Sequence, residues 1–157
     1  MMNGKKGFTL IELLAVIVIL AIIALITAPT ILNVIENSRR DASKDKAYGA
    51  IDAVKLAYTE AQSNGADVAL PFVVTFTTAG KGEIAATDGT KYEVKASGDM
   101  PTAGSIIFDA NGKMYIGAKN GSNYNPATSK GAAGALKYGS YYCFMESATS
   151  TKVKCER

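Results

Sequence analysis

The residue with the greatest chemical consequence in this chain is Glu12, because almost everything around it is apolar. From Phe8 to Ala28 only Thr9, Glu12 and Thr27 interrupt the apolar run. A carboxylate in such a helix costs on the order of 3 kcal/mol in a membrane, so it is expected to have a partner. The alternative is that Glu12, lying in the first turns, reaches the headgroups with help from the positive helix N-terminus. Elsewhere the chemistry is sparse. The chain has no histidine, which removes the imidazole base of Ser and Cys nucleophiles and the commonest metal ligand. The acidic residues of the second half sit in turns or alternate with lysine, the pattern of a solvated surface. No catalytic, cofactor-binding or metal-binding residue is assigned, no cofactor is implied, and an enzyme is not expected. The net charge of +3 is too small and scattered to mark a direct nucleic-acid site.

Two cysteines, Cys143 and Cys155, stand near the end. With no third Cys and no His, they lack the ligand set of a zinc site. In an exported domain they are expected to form a disulfide; in a reducing compartment they remain two thiols. A bridge closing a loop of about a dozen residues stabilises by about 2–3 kcal/mol on the loop-entropy estimate.

The elements that must position these residues begin with a short basic leader containing Lys5 and Lys6. The apolar run that follows is about 21 residues, roughly 31 Å of helix, enough to cross a bilayer. The two lysines ahead of it place the leader in the cytoplasm and the remainder outside. A cleaved secretory signal has a shorter apolar region. A plain signal-anchor fits the length but leaves Glu12 unexplained.

Gly7-Phe8-Thr9-Leu10-Ile11-Glu12, with the apolar run to Pro29 behind it, resembles the processing site of type IV pilins and the related pseudopilins. The detailed match covers about the first 35 residues. The resemblance implies that a membrane-embedded prepilin peptidase cuts between Gly7 and Phe8 and methylates the new amine of Phe8. It also implies that Glu12 neutralises the terminal amine of an adjacent subunit, which sets the register of a homopolymer built through N-terminal helices. Gly7 suits such a protease, since a residue without a side chain lets it close on extended backbone.

Pro29 stands inside helix-compatible sequence and is expected to kink or loosen the helix there, the alternative being that it ends it. The pattern Ala47, Ala50, Ile51, Val54, Ala57, Tyr58, Ala61 is amphipathic, and Asn64-Gly65 supplies a stop. One helix is therefore expected from Phe8 to about Ser63. Beyond it, strand-like runs at Pro71–Thr77, Gly82–Ala85, Lys91–Lys95, Gly104–Phe108, Lys113–Gly117, Tyr141–Phe144 and Lys152–Cys155 predict one antiparallel sheet. Asn120–Gly134 reads as an exposed loop. Asp109 and Asn111 ahead of Gly112 read as a turn rather than a calcium loop, and Tyr138, Tyr141 and Tyr142 as ordinary packing.

The expected class is α+β: a long N-terminal helix, membrane-spanning in its first half, packed by its second half against a C-terminal antiparallel sheet, which is the pilin fold. The expected parts are a leader at 1–7, an assembly helix at 8–29, its amphipathic continuation at 30–64 and a globular sheet domain at 65–157. The resemblance implies a subunit of a type IV pilus serving adhesion, motility or aggregation. It is held in the cytoplasmic membrane with its C-terminus outside, and then built into a surface fibre. Its partners would be other copies of itself, the peptidase, the assembly platform and the motor ATPase. Two alternatives are a pseudopilin of a type II secretion or competence DNA-uptake system and a signal-anchored extracytoplasmic binding domain.

Overall fold

A computed structural model of the chain describes residues 7–96 and 98–157. The leader expected at 1–7, with Lys5 and Lys6, lies outside the described residues except for Gly7. Helix α1 runs from Leu10 to Ser63, 54 residues with Pro29 inside it. Pro29 therefore does not end the helix, although it removes the N–H that would reach the Leu25 carbonyl. Two residues earlier, the Thr27 hydroxyl donates to the Ile23 carbonyl at 3.0 Å. The helix begins two residues later than expected, at Leu10 rather than Phe8, because Thr9 caps it: the Leu13 N–H already bonds the Thr9 carbonyl.

The chain forms two compact units that divide between Ser38 and Arg39. The first holds the apolar part of α1, in which every described residue up to Ile35 is exposed.

In the second unit, α1 buries a stripe of Ser43, Ala47, Ala50, Ala53, Val54, Ala57 and Ala61. The spacing of three and four residues puts them on one face. Their small side chains let the helix axis come close to the strands. The face lies in one core with Val74, Ile84, Ile106, Ile107, Ile116, Leu136 and Met145. Burying each such aliphatic side chain is worth about 1.5–3 kcal/mol. Beside it, Tyr58, Phe72 and Phe108 form an aromatic trio with ring centroids 4.7–5.5 Å apart.

Among the described residues nine strands follow: β1 Phe72–Thr75, β2 Glu83–Ala85, β3 Lys91–Glu93, β4 Ser105–Phe108, β5 Met114–Asn120, β6 Asn123–Pro126, β7 Leu136–Tyr138, β8 Tyr141–Met145 and β9 Val153–Glu156. All pairings are antiparallel. The single sheet expected from sequence is instead three, ordered β1-β4-β5-β6, β2-β3 and β7-β8-β9. β4 is buried along its whole length, as a central strand covered on both faces must be. Its hairpin to β5 turns at Asp109, whose carboxylate accepts the N–H groups of Asn111 and Lys113 at 2.9 and 2.8 Å. Gly112 supplies the positive φ. Asp109 Oδ1 is thus spent on the turn itself.

The expected loop at Asn120–Gly134 is corrected in part. Asn123–Pro126 pairs with β5 as the edge strand β6, after a tight turn with Gly121 at φ 59°. Ala127 is buried and joins two sheets: its N–H donates to the Ile116 carbonyl at 2.9 Å, and its carbonyl accepts the Met145 N–H at 2.8 Å. The Ile116 N–H is satisfied by the Met145 Sδ at 3.3 Å.

The C-terminal sheet pairs Cys143 with Cys155 directly across β8 and β9, and the two are joined as a disulfide. This sheet is tied to one stretch of α1. Tyr138 Oη donates to the Lys46 carbonyl at 3.0 Å, and the Val153 N–H donates to Tyr48 Oη at 2.9 Å. Cys143 Sγ touches the Ser43 carbonyl oxygen at 3.4 Å, a contact only, since a disulfide sulfur carries no proton. Burial, with Asp99 nearby, pushes the Tyr138 phenol far above its ordinary range.

Candidate functional site

The residues that carry the motif lie at the start of α1. Gly7, Phe8 and Thr9 are non-helical and exposed. The backbone around the Gly7–Phe8 bond is therefore free of helical hydrogen bonding, the state in which a protease can bind it. Phe8 exposes 87% of its surface.

Thr9 is the N-cap of the helix, and Glu12 occupies its third position. The Thr9 N–H and the Thr9 hydroxyl both donate to Glu12 Oε2, at 2.8 and 2.9 Å. The Thr9 Oγ1 in turn accepts the Glu12 N–H at 3.3 Å. This is the reciprocal capping box that the order Thr-x-x-Glu encodes. Sequence reasoning singled out Glu12 and passed over Thr9 as its partner. The spacing of three was the signal that would have found it.

From Leu10 onward the helix is long and apolar enough to cross a membrane. Its most apolar window has a mean hydropathy of 3.1 and buries none of its residues. Among the described residues it has no partner element in its own unit, so this surface is an extended exposed apolar area.

The segment 2–28 matches the prokaryotic N-terminal methylation motif. That match spans the residues from the leader to the end of the apolar run. The N-terminal segment thus carries a methylation motif of the kind found in type IV pilin-like prepilins. No curated protein and no solved structure matches it significantly.

The remaining candidate residues of the chain are dispersed. Pro29 lies seventeen positions beyond Glu12 within α1, and the Cys143–Cys155 bridge belongs to the globular unit. Among the described residues, no group of three or more His, Cys, Asp or Glu side chains is placed to hold a metal ion. A cleft of the globular unit lies between Arg39–Lys46 of α1 and the loops carrying Gly80, Asp99 and Ser140. Its wall is an ion pair, Lys46 Nζ to Asp99 Oδ2 at 2.7 Å, which holds the Asp99 carboxyl below its usual range. Both groups are solvated, so the pair contributes little to stability.

Proposed function

We propose that this prepilin is a structural subunit of a type IV pilus. A prepilin peptidase removes residues 1–7 by cutting between Gly7 and Phe8 and methylates the Phe8 amine. The exposed helix then leaves the bilayer and packs against copies of itself, driven by an assembly platform and a motor ATPase. The observation that carries the reading is a motif-bearing helix, exposed from Leu10 to Ile35, in a chain whose other unit has a complete core of its own. The helix has no folded surface of its own unit to bury it, so membrane and then neighbouring subunits supply the burial.

Cleavage creates a cation at Phe8, four residues before Glu12 and about 6 Å along the helix axis. Pairing that amine with the Glu12 of a neighbour removes two charges from an apolar fibre core and fixes the axial offset between subunits.

The deciding experiment is the intact mass and N-terminal sequence of material sheared from the cell surface. The expected chain begins at N-methyl-Phe8 and lacks two hydrogens at Cys143 and Cys155. A chain that retains residues 1–7 and stays with the membranes would assign an anchored domain instead. Correct processing without long surface filaments would assign a pseudopilin. In the same assay Gly7→Arg is expected to leave the precursor in the membrane with its leader attached; recovery of the mature N-terminus from that variant would refute the cleavage site.

A further inference from the structure

The capping box leaves the two oxygens of Glu12 in different states. Oε2 receives both Thr9 donors, at 2.8 and 2.9 Å. Oε1 has no hydrogen bond among the described residues. The carboxylate is thus held by one edge against its own helix end, with the second oxygen left for an incoming donor. Neither Thr9 nor Glu12 belongs to the leader, so the arrangement survives cleavage after Gly7.

We propose that Thr9 is a positioning residue for Glu12: its hydroxyl anchors Oε2 so that Oε1 is presented, in one orientation, to the cation of a second copy of this chain. This rests on the pilus reading above, in which that cation is the Phe8 amine of a neighbour. Three features favour Thr at this place. Its hydroxyl acts twice, donating to Oε2 and accepting the Glu12 N–H at 3.3 Å. Its β-branch restricts χ1, so the hydroxyl does not wander among rotamers. In an apolar surrounding no water replaces a lost hydroxyl, so without it Oε2 keeps the Thr9 N–H as its one donor. A carboxylate held by that single donor pivots about it, and its offset to the neighbouring chain blurs.

The test uses the full-length precursor in its own cells, with Thr9→Val, which keeps the shape and removes the hydroxyl, and Thr9→Ser, which restores it. Thr9→Val is expected to insert and lose its leader normally while its yield of sheared filaments falls about tenfold, the scale of a lost cap. Thr9→Ser is expected to recover that yield to within about twofold. Exchange of the Glu12 amide, followed in detergent micelles, is expected to quicken in Thr9→Val and not in Thr9→Ser. Full filament yield from Thr9→Val, an equal defect in Thr9→Ser, or unchanged Glu12 amide exchange in Thr9→Val would each overturn the assignment. If the unmodified chain forms no filaments, the pilus reading falls, and the amide exchange of the two variants still decides whether Thr9 anchors Glu12.

Discussion

Glu12→Val is expected to insert into the membrane and lose its leader, yet to yield no filaments. Removing the carboxylate relieves a cost of about 3 kcal/mol in the apolar span, so insertion becomes easier. The Gly7–Phe8 bond lies outside α1 whether or not Glu12 caps it, so cleavage proceeds. On the pilus proposal, what disappears is the counter-charge to the neighbour's Phe8 amine. An unpaired ammonium buried among apolar helices costs several kcal/mol, enough to lower fibre yield at least about a hundredfold. Immunoblots of membranes and of sheared material measure both pools, and normal fibres from this variant would remove the registry role. Glu12→Gln separates two contributions: its amide oxygen still accepts from Thr9, but it carries no charge. It is expected to fail as Glu12→Val does, which would show that the charge, beyond the cap, is needed.

The second large effect concerns two glycines three positions apart. Gly134→Ala is expected to abolish the folded globular unit, and Gly131→Ala to leave it intact. Gly134 has φ +87°, and a Cβ there would overlap the backbone carbonyl of Gly117. Gly117 cannot move away, because a Cβ on it would itself meet the Asn125 carbonyl, and its own carbonyl accepts the Ser105 hydroxyl at 2.6 Å. Nor can the segment around Gly134 lift, since its carbonyl accepts the Ser105 N–H at 3.0 Å. Left-handed strain adds to a backbone collision here, and such mechanisms together reach about 4 kcal/mol or more, a large share of a small domain's stability. A Cβ at Gly131 meets nothing within 4 Å, and its φ lies outside the left-handed range. That change is expected to be neutral or stabilising by up to about 1 kcal/mol. Thermal unfolding and protease resistance of the two variants, compared with the unmodified chain, check both expectations.

The same two glycines show where sequence reading stops. The helix was legible because its signals are local: an unbroken apolar run, then an alanine stripe at spacings of three and four. The turn at Asp109–Lys113 was legible for the same reason, since Asp, Asn and Gly encode it within five residues. The strand Asn123–Pro126 was not. Its residues are Asn, Tyr, Asn and Pro, a loop vocabulary, and it is a strand only because β5 offers an edge to pair with. Likewise, the division into three sheets depends on Ala127 and Met145, whose partners lie distant in sequence. Nothing local marks a methionine whose sulfur takes a backbone N–H. Among the residues of the motif, Glu12 stood out through its charge, whereas Thr9 looked like a tolerated polar residue until the cap geometry gave it a partner.

The ties between the C-terminal sheet and Ser43–Tyr48 of α1 set an order of events. Val153, which donates to Tyr48, follows it by 105 residues. Synthesis runs from the N-terminus, so this part of α1 is made long before the strand that clasps it exists. Until β9 arrives, the Tyr48 hydroxyl lacks its donor and Cys143 lacks its disulfide partner. Strand β9 thus works as a latch, closing a contact whose other half was laid down early in the chain.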